Sequence, residues 1–150
     1  MHRSRASAGN RLGAGFTLVE LAIVVIVIGV LAAFAVPHFL TSVERTKAAE
    51  AFDYLSTVRS AQERYHAREG RYADDVAKLD VKLAAPSYFT VGTMTVPNLA
   101  PSFETGWELT LTRTGAASGF GTYTVVYDQD GYDHADSTIS DDLTPYHTSG

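Results

Sequence analysis

The chain has 150 residues, with apolar residues at 45%, charged residues at 19%, and 12 Lys plus Arg against 17 Asp plus Glu, a formal net charge of −5. That length suits one ordinary domain, and that composition excludes disorder along the whole chain. The acidic balance excludes a surface built to neutralise phosphates, so no nucleic-acid partner is expected, and the absence of cysteine excludes disulfides, thiolate nucleophiles and Cys-ligated zinc.

Residues 1–15 carry Arg3, Arg5 and Arg11, no acid and no apolar period, which reads as an unstructured basic leader. From Phe16 to Leu40 the chain is almost wholly apolar, and Leu21–Val36 contains no polar side chain. Twenty-five helical residues extend roughly 37 Å, enough to cross a hydrocarbon core of about 30 Å with some tilt. The arginines precede this segment, so the positive-inside rule places the N-terminus in the cytoplasm and residues 41–150 outside. Residues 16–40 are thus expected to cross the inner membrane once, ahead of an exported head.

The helical period continues beyond Pro37. Ala48, Ala51, Leu55, Val58, Ala61 or Gln62, and Tyr65 recur at spacings of three and four, while Glu44, Arg45, Lys47, Glu50, Arg59, Glu63 and Arg64 fall mostly elsewhere. The pattern predicts one helix from Phe16 to about Glu69, about 80 Å long, with Gly70 as its stop. Residues 71–87 read as a connection with a short helical turn around Asp74–Leu79. Segments 88–96, 107–113 and 121–127 are rich in Thr, Val, Tyr and Phe and alternate, which predicts three or four antiparallel strands. Such a small sheet needs cover for its apolar face, and the stripe on residues 48–65 offers it. The acidic tail beyond Tyr127 reads as loop.

The string Gly15-Phe16-Thr17-Leu18-Val19-Glu20-Leu21, followed by an unbroken apolar run, resembles the class III signal sequence of type IV prepilins and type II secretion pseudopilins. The resemblance implies an α+β, type IV pilin-like fold: a long N-terminal membrane-spanning helix whose C-terminal half packs on a small antiparallel sheet. It also implies that a prepilin peptidase cuts after Gly15 and methylates the new N-terminus at Phe16, and Pro37 matches a familiar position. The implied partners are further copies of the chain in a homopolymeric filament, the inner-membrane assembly platform with its ATPase, and an outer-membrane secretin in a Gram-negative cell. Two features depart from the family: the nearest basic residue before the cut is Arg11, and the cysteine pair that closes the C-terminal loop of many pilins is absent, so that loop needs another means of being held.

Beside the resemblance, Glu20 has a physical role to fill. A carboxylate at the edge of an apolar span is costly without a partner, and in a bundle of staggered helices the amine of Phe16 on a neighbouring subunit supplies one and sets axial register. The plainer alternative is a solvated carboxylate among lipid headgroups. Gly29 and Pro37 weaken a helix and suit local unwinding, although both residues are common in membrane helices.

The five histidines (His2, His38, His66, His134 and His147) are scattered, and neither a phosphate-binding loop nor a nucleophile motif is present, so no enzyme is expected. Asp128, Asp130, Asp133 and Asp136 place hard oxygen donors in one short segment, the chemistry calcium requires. Asp130-Gly131 is equally an ordinary tight-turn pair in a solvated loop. The leading function is a structural subunit of a type IV pilus serving adhesion, motility or DNA uptake. A pseudopilin of a type II secretion system is the alternative within the family. Outside it, Ala33-Phe34-Ala35 would suit an ordinary signal peptide cut after Ala35, releasing a secreted binding protein, and a monomeric membrane-anchored sensor would also use the span.

Overall fold

A computed structural model of the protein describes residues 15–97, 100–115 and 119–146. Residues 1–14 of the expected leader, with Arg3, Arg5 and Arg11, and the histidines His2 and His147 lie outside the described residues.

A single α-helix, α1, spans Leu18–Glu69 and contains both Gly29 and Pro37. The chain divides into two compact units, the first ending at Pro37 and the second beginning at His38. In the first unit every residue from Gly15 onward is exposed. Helix satisfies the backbone of such an apolar segment internally, which is what lipid or an apolar bundle demands. At the other end, Gly70 adopts φ 72° and donates its N–H to the His66 carbonyl at 2.9 Å. Glycine closes the helix there because its lack of Cβ makes the left-handed conformation cheap.

The second unit pairs the rest of α1 with a four-stranded antiparallel sheet: β1 (Phe89–Val91), β2 (Glu108–Arg113), β3 (Thr124–Asp128) and β4 (Tyr132–Asp133), adjacent in chain order. The strands are shorter than the sequence segments that predict them, and β4 falls in the tail read as loop. Alternation on β2 sends Leu109, Leu111 and Arg113 inward and leaves Glu108, Thr110 and Thr112 half-buried on the outer face. Register pairs Leu109 with Tyr127 and Leu111 with Val125, so both strands present one apolar face. Ala48, Ala51, Phe52, Leu55, Val58 and Ala61 of α1 join Trp107, Leu109, Leu111, Val125 and Tyr127 in one core. Each fully buried large apolar side chain contributes about 1.5–3 kcal/mol. Phe52 was not part of the predicted stripe, and Tyr65 is only half-buried at its end.

Polar side chains on α1 pin the connections. Both carboxylate oxygens of Glu50 accept backbone N–H groups, from Ser87 at 2.8 Å and Tyr88 at 3.1 Å, fixing the entry to β1. Arg59 Nε donates to the Gln129 carbonyl at 3.2 Å and holds the β3–β4 turn. The segment 71–87 contains one 3-10 turn, Val76–Lys78, capped by Asp75. Fully buried Gln62 binds the backbone of Ala73 twice, accepting its N–H at 2.8 Å and donating to its carbonyl at 2.9 Å, as a strand neighbour would.

The C-terminal segment packs without a disulfide. Ile139, Leu143 and Thr144 are buried, Thr138 exchanges hydrogen bonds with Thr124, and Arg45 Nε donates to the Asp142 carbonyl. Tyr146 stacks on Tyr132 at 5.2 Å between centroids, and its hydroxyl meets that of Tyr127 at 3.1 Å.

Replacing Gln62 with Leu removes both partners of the Ala73 backbone, and Ala73 is itself buried. Thermal unfolding of Gln62→Leu should show a loss of about 2 kcal/mol, the cost of leaving buried polar groups unsatisfied.

Candidate functional site

The N-terminal site begins with Gly15, Phe16 and Thr17, exposed residues that lead into α1. The Thr17 hydroxyl accepts the Glu20 N–H at 3.1 Å, and the Glu20 carboxylate accepts the Thr17 N–H at 3.4 Å. This reciprocal pair is a capping box, in which the first turn's orphan donors are satisfied by side chains three residues apart. Within this chain Glu20 therefore closes its own helix. The Thr-x-x-Glu spacing carries that signal in the sequence, beside the charge that alone reads as awaiting a partner.

From Leu21 to Val36, α1 is apolar on all sides. In and beside this stretch Phe16, Leu18, Phe34 and Phe39 are 77%, 87%, 71% and 67% exposed, and the intervening Val, Ile and Leu side chains are exposed too. A helix apolar all round is stable only where something removes it from water, either lipid or other protein surfaces. It is long and apolar enough to cross a membrane. A Cβ added at Gly29 would meet nothing within 4 Å, so no close packing within the chain requires glycine there. The hydroxyl of Ser42 donates to the His38 carbonyl at 2.9 Å, one turn past Pro37.

The second cluster lies in the head and overturns one reading of the sequence. Glu44, assigned there to the polar face of the helix, is fully buried. Its oxygens accept Arg113 Nε at 2.6 Å, Arg113 Nη2 at 3.2 Å and the Tyr123 hydroxyl at 3.0 Å, with Lys47 Nζ at 3.5 Å. Burial opposes ionisation of Glu44, but the hydrogen bonds from Arg113 and Tyr123 and the charges of Arg113 and Lys47 outweigh it and hold its carboxyl below the ordinary value. The Tyr123 hydroxyl is pushed up, first by burial and then by its bond to the Glu44 carboxylate. Helical spacing could not mark Glu44 as internal, because its partner is 69 residues away.

The four tail aspartates share a cavity of about 430 Å³ with Glu108 and Gln129. Asp128 Oδ1 accepts the N–H groups of Asp130 and Gly131, and Asp133 Oδ1 accepts those of Ala135 and Asp136. These bonds are turn caps. Among the described residues, no three His, Asp or Glu side chains form a set able to hold a metal ion. Glu108 stands directly opposite Asp128 across the sheet. Partial burial, and then the charges of Asp136, Asp133 and Asp128, raise its carboxyl above the ordinary value.

An apolar N-terminal helix and a four-stranded antiparallel sheet give the chain an α+β fold, as in type IV pilins. The chain is similar to the type IV major pilin PilA of Myxococcus xanthus, 43% identical over 70 residues, 47% of this chain and 32% of that protein. It is similar to the fimbrial protein EcpC of Eikenella corrodens, 40% identical over 63 residues, 42% of this chain and 41% of the relative. The narrow pilus major component PilA5 of Thermus thermophilus is 47% identical over 47 residues, 31% of this chain and 40% of the relative. These matches are consistent with the type IV pilin family, and each spans less than half the relative's length. No family model matches the chain.

Two measurements check the head's electrostatics. Because the Glu44 carboxyl is held below its unfolded value, it contributes stability above the ordinary carboxylate range, and that contribution is lost as pH falls through the depressed folded value. The melting temperature should therefore drop in acid, and Glu44→Gln should flatten that drop while costing about 3–5 kcal/mol at neutral pH, since Arg113 keeps a buried charge. Glu108 has the opposite sign: its ionised form is disfavoured by folding, so Glu108→Gln should raise stability near pH 7 by about 0.5 kcal/mol. Asp128→Ala should lower stability by about 1 kcal/mol through its lost turn bonds. Melts of both variants should be the same with calcium or with chelator; a calcium-dependent rise in the wild-type melt would place an ion among these carboxylates.

Proposed function

We propose that this protein is a structural subunit of a type IV pilus filament, inserted in the inner membrane through α1 and then assembled with further copies of itself through the same helix. The observation that carries this reading is the combination of a helix exposed and apolar on all sides with a packed head. Such a chain is incomplete alone and becomes complete when lipid or neighbouring helices cover it. Cleavage after Gly15 by a prepilin peptidase, methylation of Phe16, a cytoplasmic leader and an exported head belong to this reading, as do the assembly platform and its ATPase. The exposure of Gly15 and Phe16 ahead of the capped helix supports access by a peptidase. A cut after Ala35 would sever α1 within its continuous span, which weighs against an ordinary signal peptide. The relatives named above are described as pilins and fimbrial proteins, which favours a pilus over a secretion piston and a structural role over catalysis.

In the assembled filament Glu20 pairs with the Phe16 amine of a neighbour, and its local capping role makes the usual alanine substitution ambiguous. Glutamine separates the two, because its amide oxygen can still accept the Thr17 N–H while the charge is gone. Mass spectrometry of the protein from its native membrane should find a mature chain beginning at methylated Phe16. Glu20→Gln should retain cleavage and helix content but lose most filament yield. Wild-type yield from that variant would reduce Glu20 to a helix cap, and a mature chain beginning at Val36 would overturn the family reading.

A further inference from the structure

We infer that Glu44, Arg113 and Tyr123 form the shear anchor of the head, the point at which a pull carried along α1 enters the sheet; this rests on the reading of the chain as a filament subunit. Glu44 is the first fully buried residue of α1, so a load travelling along the helix from its apolar end reaches this position before the Ala48, Ala51 and Leu55 contacts. Those apolar contacts are non-directional and lose little over a small slide. The Glu44 contacts are directional and short: 2.6 and 3.2 Å to Arg113 on β2, and 3.0 Å to Tyr123 immediately before β3. Sliding α1 by a fraction of a turn breaks all three together and pulls the buried Glu44 carboxylate away from the buried Arg113 guanidinium, which keeps its contacts to the Tyr88 and Thr114 carbonyls. The next residue, Arg45, binds the Asp142 carbonyl, so two adjacent helix positions tie the helix to β2, to the residue that leads into β3 and to the C-terminal segment. Farther along α1, Glu50, Arg59 and Gln62 bind backbone groups of connecting segments rather than the sheet, and the Arg64–Asp80 pair joins groups 52% and 33% exposed, where solvent weakens it.

The test uses force on the full-length chain in detergent. The protein has no cysteine, so His38→Cys and Ala135→Cys, both at exposed positions, give unique attachment points with the anchor between them. Each variant is pulled at the same interval below its own melting temperature, which removes differences in overall stability. Glu44→Gln should unfold at lower force than the parent, with its unfolding rate at fixed load raised about tenfold or more. Tyr123→Phe should give a smaller drop, and Val58→Ala, a cavity farther along the same helix, should stay near the parent. Should Glu44→Gln fail to fold, Tyr123→Phe and Arg113→Lys carry the comparison against Val58→Ala. Equal force losses in the anchor and Val58 variants, or none in the anchor variants, would overturn the inference. Filament yield of the wild-type chain is scored separately: its absence would overturn the filament reading while leaving the measured force difference in place.

Discussion

The whole molecule depends on one helix meeting two different surroundings. Up to Leu40 every side chain of α1 faces outward and almost all are apolar; from Glu44 onward one face is buried in the head. Helix is the conformation that satisfies both demands, since its backbone bonds are internal whether the surroundings are lipid, neighbouring helices or a protein core. The first part needs partners from outside the chain, and the second already has its partner in the sheet. The capping box of Thr17 and Glu20 satisfies donors at the start of the helix from within the chain.

The head is small, and its sheet has two short edge strands, so apolar burial is reinforced by polar bonds that cross long stretches of chain. Glu50, Arg59 and Gln62 all reach from α1 to backbone groups of connecting segments, and Glu44 reaches into the sheet. Each removes a buried or half-buried polar group from the unsatisfied column, and each also fixes where a loop meets the helix. The C-terminal segment follows the same strategy. Tyr146 against Tyr132 and Tyr127, buried Leu143 and Ile139, and the Arg45 bond to Asp142 provide the closure that a cysteine pair provides in many pilins.

Charge is distributed unevenly over the head. The inward face of the sheet carries the buried cation Arg113, neutralised by Glu44, while the outer face gathers Glu108 opposite Asp128 with Asp133 and Asp136 nearby. Like charges at this range oppose folding, and the turn bonds accepted by Asp128 and Asp133 offset part of that cost. The tail that looked like solvated loop is therefore a short strand, two capped turns and a packed extension.

The sequence by itself determined the parts whose cause is local. The apolar run, the spacing of Ala48, Ala51, Leu55 and Val58, the glycine stop at Gly70 and the alternating strands around β2 and β3 are each a pattern within a few residues, set by helix period, strand period or backbone sterics. The helix cap at Thr17 and Glu20 is equally local, carried by a Thr-x-x-Glu spacing. Only the tertiary structure decided that Glu44 belongs inside, that Phe52 joins the aromatic cluster with Tyr127, Tyr132 and Tyr146, and that the acidic tail pairs as β4 and then packs back. In each case the deciding partner is distant in sequence, as Arg113 is from Glu44. A charged residue on a helix reads as external until the fold brings up the opposite charge that makes its burial affordable.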